Sequence, residues 1–320
     1  MRICFRLIDN KSAFLNPQSA ILVLVLVLAL LFPAATFAQA PDLSGTWANT
    51  IITPLERPKS LGERAFFTDA EAKDFESVDG TYARWKASRD PDTDAIISTE
   101  IIGPYTDTGF RKVGTDRRAS LLVDPPDGRL PARSPEAQRR AAQLSLGRRY
   151  QPPDNPEDLL PSERCLTWGA GPPIMPLPNN SNIQIVQTKT FVAIFHESMH
   201  ETRIVPLDGR PHLPRSIRLW LGDPRGHWEG NTLVVDTTNL TDKTTIEGAG
   251  ADAHVIERFT RVNPNELRYE VTVEDAAFAH PWTAAWTMTR MTEPLFEYAC
   301  HEGNYSMATT LKGARELDRK

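Results

Sequence analysis

Cysteine is scarce in this chain of 320 residues: only Cys4, Cys165 and Cys300 occur. No CxxC pair is present, and GxSxG, GxGxxG and the phosphate-cradling GxxxxGK[ST] are missing as well. The dithiol redox site, nucleophile elbow, dinucleotide fingerprint and P-loop are therefore unsupported, and no cofactor is expected. Basic charge is not in excess either. Lys and Arg number 36 against 41 Asp and Glu, a formal charge of −5. Such a protein lacks the basic face that phosphate backbones demand, so no nucleic-acid partner is expected. Beyond residues 20–32 no apolar run is long enough to cross a bilayer, and there is no internal repeat.

What is present begins with those apolar residues. AILVLVLVLALLF follows an opening segment carrying Arg2, Arg6 and Lys11, and Ala38-Gln39-Ala40 supplies a small-x-small cleavage pattern. The expectation is a signal peptide over residues 1–40, cleaved after Ala40, and a periplasmic or secreted product. A membrane anchor is the other reading. It fits less well, because the run is short for a span and no basic stop-transfer cluster follows. Removing residues 1–40 takes the formal charge to −7. In an oxidising compartment Cys165 and Cys300 are expected to pair, although two buried free thiols would also fit.

Proline is plentiful, at 26 residues, which argues against long helices and for many turns. Pro41 to Trp47, PDLSGTW, reads as a short first strand; a Gly-x-Trp there resembles the opening of lipocalin-type barrels. Thr68-Asp69-Ala70-Glu71 is a capping box and predicts a helix from about Asp69 to Phe75. A further helical turn is expected around Ala83 to Ala87, and loop over 90–118. Ser134-Pro135 opens a helix to about Leu146. The second half reads as strands: Ile183–Gln187, Phe191–Phe195, Glu201–Val205, Thr232–Thr238, Val255–Val262, Leu267–Val273, Trp282–Arg290 and Leu295–Ala299. The expected fold class is mainly β, an antiparallel meander closing into a lipocalin-like β-barrel, with a few short helices in the N-terminal half. Residues 41–320 are taken as one domain with a helical and loop insertion at about 50–163.

Chemistry concentrates on a few turns. In DPRGHWEGNTLVVDTTNL, Asp223 to Gly226 reads as a turn and His227-Trp228-Glu229 as a short extended piece. Alternation puts His227 and Glu229 on the face opposite Trp228, where a buried His/Glu pair could do acid–base work. Arg203, His301, His227 and Glu229 are the candidate polar centre. Trp168, Trp228, Asp208, Asn304 and Tyr305 are candidate ligand contacts. His196-Glu197-Ser198-Met199-His200 spells HExxH, which binds zinc only at helical pitch. Its β-branched and aromatic flanks predict strand, turn and returning strand instead, so a zinc hydrolase through His196, Glu197 and His200 is an alternative only. Cross-strand ion pairs are expected of Glu257, Arg258, Glu270 and Glu274.

Four segments together, PDLSGTW, RCLTWGAGPP, IVPLDGRPH through GHWEGNTLVVDTTNL, and EYACHEGNY, resemble a large family of secreted bacterial proteins of unknown function. The resemblance covers nearly the whole of residues 41–320 and implies a single unit. It carries no activity and hence no site residues. In that family pattern the first histidine of HExxH is often replaced, which speaks against zinc. The functional expectation is an exported protein that binds a small, partly apolar organic molecule, with metal-free acid–base catalysis (lyase, isomerase or hydrolase) as one outcome. A non-catalytic carrier of a lipid-like ligand is the alternative. The sequence sets no oligomeric state.

Overall fold

Among the described residues nine β-strands run in one antiparallel path, and a tenth pairs beside it. The computed structural model describes residues 40–77, 112–143, 152–169, 171–176, 180–243, 246–317 and 319. The expected leader, the turn at Ala83 to Ala87 and most of the polar stretch 90–118 lie outside the described residues. The strands are β1 (Gly45–Ala48), β2 (Leu122–Asp124), β3 (Ile183–Gln187), β4 (Phe191–His196), β5 (Thr202–Pro206), β6 (Asp223–Glu229), β7 (Thr232–Thr238), β8 (His254–Asn263), β9 (Glu266–Glu274) and β10 (Trp282–Met291). Their order is β5-β4-β3-β1-β10-β9-β8-β7-β6, with β2 on β10.

The period-two pattern explains the packing. Ile183 and Ile185, Val192 and Ile194, Leu233 and Val235, Val255 and Phe259, and Tyr269, Val271 and Val273 all turn to one face. With Trp47, Trp282 and Trp286 they form a single core. Trp47 is fully buried, donates from Nε1 to Leu43 O at 3.0 Å, and lies under the guanidinium groups of Arg261 and Arg290.

The expected barrel closure is not seen. Among the described residues no ladder joins β5 to β6, so the sheet has two edges. The edges approach through side chains: a Cβ on Gly226 of β6 would stand 2.7 Å from Val205 Cγ1 and from Leu207 Cδ2. Three further expectations are corrected. Asp223 to Gly226 is strand, not turn, because β6 pairs with β7 over its whole length; as an edge strand it tolerates Pro224. Leu295–Ala299 is not strand, since Tyr298 N–H bonds to His200 and the segment leads to a cystine. Helices are not confined to the N-terminal half. Beside α1 (Asp69–Glu76) and α2 (Pro135–Gln143) stands α3 (Tyr305–Leu317), seated by Leu311 and Ala314.

The capping box forms as read: Glu71 N–H donates to Thr68 Oγ1, and Thr68 N–H donates to Glu71 Oε2. α1 packs Ala72 and Phe75 on Leu61, Phe67, Val113 and Ala119, a second small cluster. Cys165 and Cys300 are joined across 135 residues. No helix among the described residues is long and apolar enough to cross a membrane. The cystine fits an extracellular or periplasmic protein.

Candidate functional site

The ionisable residues singled out in the sequence go to three different places. The first is the core. Alternation along β5 sends Arg203 inward beside Val205, and Glu257 comes inward between Val255 and Phe259. Their side chains are 1% and 0% exposed and meet in two hydrogen bonds of 2.6 and 2.8 Å. Tyr269 O–H donates to Glu257 Oε1 at 2.7 Å and accepts from Ile174 N–H at 3.0 Å. Burial works against the Arg203 charge, but the Glu257 carboxylate outweighs it and holds the guanidinium above its ordinary value. Burial, then the Glu257 charge, raises the Tyr269 phenol well above 10. Glycine is required over this pair: a Cβ on Gly171, at φ +124°, would lie 2.9 Å from Arg203 Cζ. Arg203 thus faces a carboxylate and the RCLTWGAGPP segment. Glu257 is not the surface cross-strand partner expected; its place inside a buried alternation was the signal.

HExxH divides in the same region. Met199 and His200 take positive φ, so only a kinked 3-10 turn forms at Ser198–His200, no α-helix runs through the motif, and the imidazoles share no helical face. His196 is buried, with Nδ1 accepting from Ser198 N–H at 3.2 Å, and burial pulls it down to about 4. Glu197 Oε2 accepts from Asn182 N–H and Nδ2 at 3.3 and 2.9 Å. His200 stacks on Phe195 and accepts from Tyr298 N–H at 3.0 Å. Among the described residues no group of three His, Cys, Asp or Glu is placed to hold a metal ion.

The second place is the outer face of the sheet. His227 and Glu229 point there, 58% and 48% exposed, so they share no enclosed space with Arg203. His227 Nε2 meets Glu229 Oε1 at 3.1 Å, and that bond, with the Arg258 charge, lowers the Glu229 carboxyl. Trp228, on the opposite face, packs against the core. Asp208 closes on Arg210 within its own turn, and this exposed pairing holds its carboxyl at about 2. Nearby, carboxylates and imidazoles alternate. His212 contacts Asp223 through Nδ1 and Asp236 through Nε2, both at 3.1 Å. His254 contacts Asp236 through Nε2 and Glu274 through Nδ1, both at 3.0 Å.

The third place is a cleft of about 740 Å3 beside the cystine. Trp168 and Tyr298 line it with ring centroids 6.3 Å apart, and Met307 adds an apolar patch from the first turns of α3. Asn304 lines it too and ties the walls: its Nδ2 donates to Glu163 O at 3.2 Å and lies 3.3 Å from Cys165 Sγ. Thr167 Oγ1 and Trp168 N–H donate to Glu201 Oε2 at 2.9 and 3.2 Å, and burial raises the Glu201 carboxyl. Glu163, Glu297 and Glu302 also line the cleft, and among the described residues no Lys, Arg or His does. His301 and Tyr305 flank it and are exposed. Tyr298 and Met307 were missed in the sequence. The signal available was their position within nine residues of Cys300.

Comparison with protein-family models, with curated proteins and with solved structures found no match for this chain.

Proposed function

We propose that this protein binds a small, partly apolar organic molecule, neutral or cationic, in the cleft beside the cystine. The observation that carries this reading is a single cleft with an aromatic pair on one wall, carboxylates on the others, and both sides cross-linked. Aromatic surface supplies the apolar contact, and a cross-linked wall loses little entropy on binding. The first turn of α3 adds roughly half a positive charge. Three carboxylates outweigh it, so an anionic ligand is disfavoured. In this reading the curled sheet acts as a barrel-type scaffold, and residues 1–40 are an export leader cleaved after Ala40.

Carriage of an unchanged ligand is supported over catalysis. The expected polar centre is dispersed: Arg203 lies in the core, His227 and Glu229 on the outer face, and His301 beside the cystine. General acid–base work needs such groups within hydrogen-bond reach of one substrate.

Native mass spectrometry of protein purified from its own host tests this. We expect a chain beginning at Pro41 with a small adduct that leaves unchanged on denaturation. Trp168→Ala is expected to lose the adduct while keeping the wild-type melting temperature to within a few degrees. An adduct retained in full by Trp168→Ala would remove the cleft from consideration.

A further inference from the structure

The alternating row on the outer face draws its members from separate parts of the fold. His212 belongs to the connection Leu207–Gly222, Asp223 to β6, Asp236 to β7, His254 to β8 and Glu274 to β9. Register explains how they meet. His254 stands directly opposite Glu274, and Asp236, opposite Ile256, lies on the diagonal to His254. All four ring nitrogens are within 3.1 Å of a carboxylate oxygen. A neutral imidazole has one N–H and one lone pair, so it satisfies only one of two ionised carboxylates. An imidazolium donates to both. Four contacts to three ionised carboxylates therefore require two protonated rings.

Charge counting agrees. Arg225 donates to Asp223 Oδ1 at 2.6 Å, so three positive groups face three negative ones once both rings are protonated. Arg215 of the same connection acts on Asp252, Arg261 of β8 donates to Asp42 O, Glu266 of β9 accepts from Asn263, and several other charged groups on the packed elements are engaged among themselves. Arg210 holds Asp208, Arg258 holds Glu229 (which also holds His227), Arg268 faces Glu270, and Arg218 holds Asp252.

We propose that this row is a proton-operated clamp: as imidazolium ions His212 and His254 fasten the 210–213 stretch to the sheet, and loss of their protons loosens it. The fastening is direct, because Asp223 Oδ2 takes both His212 Nδ1 and Leu213 N–H, the latter at 2.8 Å. Arg225 at Pro211 O and Asn239 at Leu213 O stay in place at any pH near neutral, so the change is local. Arg210 and Leu213 also line a cleft of about 490 Å3 along the open seam between β5 and β6, so the clamp sets how firmly that wall is held.

The titration of His254 supports the direction. Partial burial lowers it, but its hydrogen bonds to Asp236 and Glu274 and their charges win, and its value is raised above 6.5. A histidine raised on folding stabilises fully below its unfolded value, and that contribution is lost as pH rises through the folded value. The His254 end of the row is therefore fastened below the ordinary histidine range and released as pH rises through its raised value.

The test is amide hydrogen exchange across pH 5.5 to 9 on the intact chain, corrected for intrinsic rates, with ring titrations followed by NMR. Protection of residues 210–213 should fall several-fold over the same interval in which both rings titrate. His212→Gln should show the weak, high-pH protection throughout, and Asp236→Asn should lower the His254 midpoint. Both imidazoles are about a third exposed, so neither change empties the core. His254→Gln gives a second variant from the far end of the row and should flatten the pH response in part. Protection that stays constant through the ring titrations, or a full pH response in His212→Gln, would overturn the clamp.

Discussion

Arg203 and Glu257 show how a single pair of charges can belong to the core. Both are withdrawn from water, and the desolvation cost is offset only while each holds the other and Tyr269 completes the carboxylate. Glu257→Gln leaves a buried guanidinium without its counter-charge. The expected loss is about 3–5 kcal/mol, read as a fall in urea midpoint at unchanged slope. Tyr269→Phe removes one hydrogen bond and should cost only about 1 kcal/mol plus the effect of the void at its hydroxyl. A Glu257→Gln loss under about 1 kcal/mol would mean that the pair is solvated. Alternation along β5 was enough to send Arg203 inward, but its partner lies 54 residues away, and only its place in the buried alternation of β8 marks it.

At the scale of elements, the seam between β5 and β6 is decided by one missing methyl group. Gly226 has no positive φ, so alanine there meets no backbone strain. It would meet Val205 and Leu207 at 2.7 Å instead. Overpacking of this kind costs about 1–3 kcal/mol, so Gly226→Ala should lower the melting temperature, and Val205→Ala added to it should recover part of the loss. No recovery in the double variant would show that the edges do not touch. The strands of the second half were legible because β-branched runs between turn residues are short-range signals. β6 was half-missed, since Asp-Pro-Arg-Gly has turn propensity that pairing with β7 overrides. α3 went unread because its apolar residues, Leu311 and Ala314 among them, make a thin stripe with little contrast.

For the whole molecule the cystine is the long-range constraint. It closes a loop of 135 residues, worth about 4–5 kcal/mol in the chain-entropy view. Replacing Cys165 and Cys300 by alanine should lower stability by about that amount in chemical denaturation. It should also weaken whatever occupies the cleft, because Asn304 and Trp168 lose their common anchor. Unchanged stability would place the loop closure elsewhere. The pairing was legible from three cysteines, one of them in the expected leader. The cleft beside it was legible only through Trp168 and Asn304, since Met307 and Tyr298 reach it through the placement of α3 and of the segment before it.

The sequence alone determined the strand-rich class, the α1 capping box and the one pair of cysteines available to form a cystine, because propensity, capping and residue inventory act over a few residues or by count. Tertiary structure decided which side each ionisable group faces and whom it meets. His227 and Glu229 went to water, Arg203 and Glu257 to the core, and His212 and His254 into a row of carboxylates drawn from three strands. The reason is physical. A strand offers two equivalent faces, and only the register of its neighbours and the position of the core make one of them the inside.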